Sequence, residues 1–148
     1  MDKFTINVKN GFYVGDLCYA LSDEVYHGVW GANNYEIGKY EYDGKEFAMV
    51  NTAYGDGCYL GSDLREYPVD AGIIGICDAE LAKKDFGNLG RIIQYSGKVT
   101  IAYDDASGTI YVDFGSEVIA IPTIEDEFGY EDDWPDYSDE EEDEEDRW

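Results

Sequence analysis

The sequence has very few residues of the types from which catalytic and metal sites are most often built. It contains one histidine, His27, and three cysteines, Cys18, Cys58 and Cys77, with no Cys-x-x-Cys pair. This odd, scattered set argues against a disulfide framework and against a zinc site of ordinary spacing. We therefore expect reduced thiols, as in a cytoplasmic protein.

Long apolar segments are missing as well. No apolar run approaches the roughly 18 residues that a membrane-spanning helix needs. The first ten residues, MDKFTINVKN, lack the apolar centre of a secretion signal. We expect a soluble, intracellular protein.

Basic residues are scarce relative to acidic ones. The chain of 148 residues has 10 Lys plus Arg against 34 Asp plus Glu, a formal charge of −24. The electric field of this negative charge repels nucleic acids and anionic membranes and attracts cationic protein surfaces. The composition is nevertheless 44% hydrophobic and 16% aromatic, which is too apolar for a wholly disordered chain. We therefore expect a folded body. The negative charge suits basic protein partners, and a role in solubility alone is the alternative explanation.

The charge divides the chain into two parts. Residues 124–148 carry fifteen acids and one arginine, and residues 1–123 carry nineteen acids and nine bases. The tail therefore has a net charge of −14 and the longer part −10. We predict a β-rich globular domain over residues 1–123 and an acidic, aromatic-containing C-terminal tail over residues 124–148.

Two-residue alternation of apolar and polar side chains dominates the first part and predicts strands. Asp43-Gly44 predicts a tight hairpin turn between strands 36–42 and 45–50. A second hairpin is expected from strands 98–104 and 109–114, with a third strand at 117–121. Shorter strands are predicted at 58–60, 66–69, 73–77 and 91–95, and short helices at 23–30 and 79–84, capped by Ser22 and Asp78. The predicted fold is mostly β (α+β), with a single antiparallel curved sheet or small barrel and one or two short helices.

Three Gly-rich segments each contain an aspartate: Asp16, Asp56 and Asp70. Three convergent carboxylates can hold a hard divalent cation, which gives the hypothesis of a metal-dependent enzyme. Gly-Asp sequences are equally typical of tight turns, and we favour turns here. A Cys–His pair that uses Cys18 or Cys58 with His27 is a further, weaker possibility. No set of residues specifies a reaction, so we predict a protein without catalytic residues, metal or cofactor.

The tail combines dense negative charge with aromatic rings. From Asp139 to Asp146 eight consecutive side chains are carboxylates, spaced by about 3.3 Å in an extended chain. One DNA strand has a phosphate about every 3.4 Å, so the linear charge densities are similar. The predicted partner-binding residues are Glu131, Asp132, Asp133, Trp134, Asp136, Tyr137, Asp139, Glu140, Glu141, Glu142, Asp143, Glu144, Glu145, Asp146 and Trp148.

The stretches FYVGDLCYAL, NTAYGDGCY and YPVDAGIIGI resemble a family of small, uncharacterised phage and mobile-element proteins. The resemblance implies a setting in a bacterial host cell, where small acidic proteins often inhibit host defence. Together with the tail, it gives the hypothesis of an anti-CRISPR-like inhibitor. Such a protein would mimic nucleic acid and block the basic groove of a CRISPR effector or another defence nuclease, without itself binding nucleic acid.

Other binding functions remain open at this point. The same acidic surface suits a chaperone for basic proteins, and Tyr-rich strands suit a protein that sequesters a small ligand. Acids near the second hairpin, at Asp104, Asp105, Asp113 and Glu117, suggest that the folded part carries a second anionic stripe.

Overall fold

A computed structural model of the chain describes residues 2–83, 87 and 89–124. The fold is mostly β with antiparallel sheets, as the sequence predicted. The strands are β1 (Asp2–Val8), β2 (Phe12–Gly15), β3 (Gly38–Tyr42), β4 (Lys45–Asn51), β5 (Gly57–Leu60), β6 (Glu66–Val69), β7 (Ile73–Asp78), β8 (Arg91–Ile93), β9 (Gly97–Asp104), β10 (Thr109–Phe114) and β11 (Glu117–Pro122).

These strands form three sheets rather than the single curved sheet or small barrel that we expected. The four-stranded sheet has the order β1-β9-β10-β11, and the five-stranded sheet has the order β3-β4-β7-β2-β8. Strands β5 and β6 form a separate two-stranded ribbon. The division arises because apolar side chains of both large sheets, such as Ile101 and Ile76, meet in one core that a single open sheet would leave exposed.

The five-stranded sheet is buried on both faces. Ile74 and Ile76 of β7 point into the core between the sheets. Their neighbours Ile73 and Cys77 point the other way, into a second core that also contains Trp30. Helical segments supply much of this second core, so the described part of the chain has three layers: sheet, sheet and helical segments.

Both predicted hairpins are present. Asp43 and Gly44 have φ angles of 54° and 77°, the left-handed values that a type I′ turn requires, and they join β3 to β4. Strands β9, β10 and β11 form the predicted three-stranded meander. The central strand β2 was not predicted, because all four of its residues are buried and it shows no alternation.

The helical segments differ in part from the prediction. Residues 23–30 are helical, as an α-helical turn (Asp23–Val25) followed by a π turn (Tyr26–Trp30), but the Ser22 side chain makes no capping hydrogen bond. Short 3₁₀ turns at Leu17–Tyr19 and Gly31–Asn33 were not predicted.

The helix predicted from Ala79 is wrong for residues 79–83. This segment folds as successive turns, in which the Leu81 and Ala82 amides donate to carbonyls three residues earlier. Asp78 does act as a cap, because its carboxylate accepts from the Glu80 amide. The Lys83 amide donates instead to the carbonyl of Ala20, at 2.7 Å, and this bond holds the segment against the first 3₁₀ turn. Lys84 lies outside the described residues.

Candidate functional site

The predicted partner-binding residues, Glu131 to Trp148, lie outside the described residues. The structure does describe the residues immediately before that segment. Thr123 is buried, and its hydroxyl donates to the carbonyl of Gly108 at 2.6 Å and accepts from the amide of Ala53 at 2.9 Å. Ile124, the next residue, is 63% exposed. The chain is therefore anchored beside the β9–β10 turn immediately before the acidic segment begins.

The second anionic stripe is not formed as predicted. The carboxylate of Asp104 is used in its own turn, where it accepts from the Ala106 amide and the Ser107 hydroxyl. Asp113 faces solvent from the middle of the four-stranded sheet. Asp113 pairs with Thr100 of β9. Lys98 is exposed and lies two residues before Thr100, so it projects from the same face. This outer face is therefore mixed in charge.

Two of the three Gly-Asp segments come together at the buried carboxylate of Asp16. One oxygen of Asp16 accepts from the Cys18 amide at 2.9 Å. The other oxygen accepts from the amides of Asp70 and Ala71, both at 2.7 Å. The contact with Cys18 is the local turn role expected of such residues, and the contacts with Asp70 and Ala71 tie the end of β2 to the turn before β7.

The surroundings of Asp16 work against a nucleophilic cysteine. Burial raises the pKa of Cys18 to about 12, and the negative charge of Asp16 and its side-chain hydrogen bond add to the effect. A nucleophilic thiol needs the opposite shift. His27 is engaged elsewhere, because its Nδ1 lies 2.8 Å from the hydroxyl of Tyr35. The alternative that pairs Cys18 with His27 therefore lacks the electrostatics that it requires.

The metal hypothesis gains no geometric support from the three aspartates. The segment of Asp56 adjoins that of Asp70, because a Cβ at Gly72 would lie 4.0 Å from the Oδ1 of Asp56. Both oxygens of Asp16 nevertheless face N–H donors. Within residues 2–83, 87 and 89–124, no three His, Cys, Asp or Glu side chains are placed to hold a metal ion.

A group of rings and acids on the helical segment was missed by the sequence reasoning. The ring of Tyr35 lies 5.2 Å from that of Trp30 and 6.3 Å from that of Tyr26, between ring centroids. Three acids of the same segment are exposed, and we call these acids and the two tyrosines the tyrosine–acid patch: Asp23, Glu24, Tyr26, Tyr35 and Glu36. One signal was available, since residues 11–38 contain no lysine or arginine.

Several cations of the folded part are already committed to ion pairs. Lys39 pairs with Glu46 at 3.2 Å, and Lys45 lies within 4 Å of both Asp43 and Glu80. Arg91 binds Asp63 at 2.7 Å, where Asp63 also accepts from the hydroxyl of Tyr67. None of these pairs involves an acid of the tyrosine–acid patch.

Comparison with known proteins gives no match among family models, curated proteins or solved structures. In the part of the chain that the structure describes, no helix is both long enough and apolar enough to cross a membrane.

Proposed function

We propose that this protein binds a basic, nucleic-acid-binding protein and occupies the groove that normally holds DNA or RNA. The partner class that we propose is a bacterial defence nuclease such as a CRISPR effector, with the protein acting in the cytoplasm of the host as a phage-type inhibitor. The observation that carries the proposal is the distribution of charge: a tail of net charge −14 follows a folded part of net charge −10.

The folded part supports the proposal because most of its acids face solvent. Asp16 and Asp78 are its buried acids among the described residues. Exposed acids such as Glu41, Asp56 and Glu66 have no cation within 4 Å in the described ranges. Carboxylates that are exposed and unpaired attract a cationic surface from a distance and speed its association.

The anchoring of Thr123 also supports the proposal. Because the chain is fixed up to this residue, the acidic segment starts from a defined point on the folded part. A folded part and a charged segment that bind one partner together gain from their high effective concentration. The tail rings Trp134, Tyr137 and Trp148 are suited to pockets that accept nucleobases, since base–aromatic stacking contributes about 1–3 kcal/mol per base.

The proposal is tested by capture of partners from a bacterial lysate with and without competing DNA. We expect the full chain to retain a nucleic-acid-binding protein, and added DNA to release it. The test variant replaces the eight acids 139–146 by Asn and Gln, and we expect it to retain much less partner. The matched control exchanges Asp and Glu within the same eight positions, which keeps the charge and should keep capture. Capture that DNA does not reduce would contradict the proposal.

A further inference from the structure

A cleft of about 480 Å³ lies between the end of β1, the β3–β4 hairpin and the turn that follows β7. Two contacts join its walls: the Asn7 amide donates to Glu46 Oε1 at 2.8 Å, and Lys45 Nζ lies 3.5 Å from Glu80. Five acids and two lysines line the cleft and give it a net charge of −3. A cationic ligand therefore suits this site. The acids are Glu41, Asp43, Glu46, Asp78 and Glu80.

Three of these acids form a row across neighbouring strands. Glu41 of β3 lies directly opposite Glu46 of β4. Phe47 of β4 pairs with Cys77 of β7, so the adjacent residues Glu46 and Asp78 are neighbours as well. Like charges that lie side by side on a sheet repel each other, and a cation between them removes this repulsion.

The alternation of side chains places the row on one face of the sheet. Phe47 and Cys77 belong to the second core, and Tyr40 and Tyr42 pack against that core. The acids next to these residues therefore project from the opposite face, where all three line the cleft. Neighbouring strands lie about 4.8 Å apart, so the row of carboxylates extends over roughly 10 Å.

Asp78 differs from the other two acids of the row because it is only 6% exposed. Its Oδ1 accepts from the Glu80 amide at 2.9 Å. With residues 2–83, 87 and 89–124 its carboxylate makes no other hydrogen bond and no ion pair. An ionised carboxylate accepts about four hydrogen bonds, and a buried charge is costly unless donors satisfy it. The second oxygen of Asp78 is therefore available to a donor that enters the cleft.

The lysines around the row leave both of its ends unpaired. Lys39 lies 3.2 Å from Glu46, the middle acid. Glu41 and Asp78 have no cation within 4 Å in the described part of the chain. Lys9 lines the same cleft, is exposed, and has no ion pair in that part of the chain either. Because the charge of Lys9 repels cations, a ligand must contact more than one acid to bind.

A linear polyamine matches this row better than a metal ion does. A metal ion needs oxygens that converge on one point, and no three acids of the described ranges are placed in that way. The ammonium groups of a polyamine follow one another along an extended chain, and its propylene or butylene spacers are close in length to the separation of neighbouring strands. Each ammonium group donates charge-assisted hydrogen bonds to carboxylates.

We propose that the cleft binds a linear polyamine, with successive ammonium groups at Glu41, Glu46 and Asp78. The buried carboxylate of Asp78 fixes one end of the ligand, and the exposed carboxylate of Glu41 binds the other end. This site lies on the folded part and is separate from the tail, so it does not depend on the proposed function.

The test is a titration of the full chain with spermidine, followed by the NMR signals of the Asn7 and Glu80 amides. These amides donate to the carboxylates of Glu46 and Asp78, so they report on the row even though the tail also attracts cations. The comparison ligands are N-acetyl trilysine amide, which has the same charge on separate side chains, and Mg²⁺. We expect spermidine to shift both signals at concentrations at least about five-fold lower than either comparison ligand, because its charges match the spacing of the row.

The double variant E41Q/D78N removes the charge at both ends of the row, and the amide oxygen at position 78 can still accept from the Glu80 amide. Its matched control, E66Q/D113N, removes the same charge from exposed positions outside the cleft. We expect the double variant to raise the half-saturating spermidine concentration about ten-fold or more, and the control to change it less than about two-fold. The single variant Glu41→Gln changes only an exposed side chain, and we expect an increase of about three-fold. Dispersed NMR spectra verify that each variant is folded.

Two results would overturn the inference. In the first, trilysine or Mg²⁺ shifts the two amides at the same concentration as spermidine or at a lower one, which means that the cleft only collects counterions. In the second, E41Q/D78N and Glu41→Gln bind spermidine as tightly as the control variant does. Neither result affects the proposed function, because that is tested by the release of a captured partner by DNA.

Discussion

At the scale of single residues, Asp16 shows how much a short motif can predict. The sequence indicated that the Gly-Asp segments form turns, and the contact of the Asp16 carboxylate with the Cys18 amide confirms this for Asp16. The sequence did not show that Asp70 contributes its backbone amide while its side chain stays exposed. Contacts between residues 54 positions apart depend on the fold and leave no local pattern.

Replacing Asp16 by Asn should destabilise the protein, because an amide has one acceptor oxygen for three buried N–H donors. We expect the free energy of unfolding to fall by about 2 kcal/mol or more, as when hydrogen bonds to a buried charge are lost. The negative charge also raises the pKa of Cys18, so the thiol of the variant should be alkylated at lower pH than in the wild type.

The control for this prediction is Asp70→Asn. The Asp70 side chain is exposed and it is the backbone amide that contacts Asp16, so the change should cost less than about 0.5 kcal/mol in urea unfolding. A loss for Asp16→Asn that is no larger than that of Asp70→Asn would contradict the structural role assigned to this carboxylate.

At the scale of elements, prediction succeeded where turns and alternation coincide. The β3–β4 hairpin and the β9–β10–β11 meander have both signals, because Gly-containing turns join strands with alternating apolar and polar residues. Strand β2 has neither, since its neighbours β7 and β8 and the layers above and below bury it completely. Burial of both faces removes the alternation on which sequence-based assignment depends.

The packing of β7 against the first 3₁₀ turn gives a prediction at this scale. A Cβ at Gly75 would lie 2.6 Å from the Ala48 carbonyl oxygen and 2.7 Å from the Leu17 side chain. Because the backbone carbonyl belongs to a paired strand, we expect Gly75→Ala to destabilise the protein by about 1–3 kcal/mol. Thermal and urea unfolding monitored by circular dichroism measure this loss.

Gly28 offers a matched glycine for comparison. No atom lies within 4 Å of a Cβ at this position, and it lies in the helical segment. Gly28→Ala should leave stability unchanged or raise it by about 0.4–1 kcal/mol, because alanine restricts the unfolded chain. If the two substitutions had equal effects, the close contact between β7 and Leu17 would not be a feature of the folded protein.

At the scale of the whole molecule, composition gives the hypothesis about the class of partner, and that class stays a prediction. The net charge of −24 and its concentration after residue 123 were evident from the sequence alone. The tyrosine–acid patch was not, because Tyr35 reaches Tyr26 and Trp30 only through the left-handed turn at Asn34. The predicted tail residues stay a prediction, since they lie outside the described residues.

The central claim is that carboxylates of this protein take the place of nucleic-acid phosphates. The most direct measurement is displacement of a fluorescent DNA or RNA from the captured partner by the full chain, at salt concentrations from about 50 to 200 mM. We expect complete displacement at low salt, a steep loss of affinity as salt rises, and weak displacement by the variant neutralised at residues 139–146. If the wild-type protein binds the partner but leaves the nucleic acid bound even at low salt, the claim is wrong.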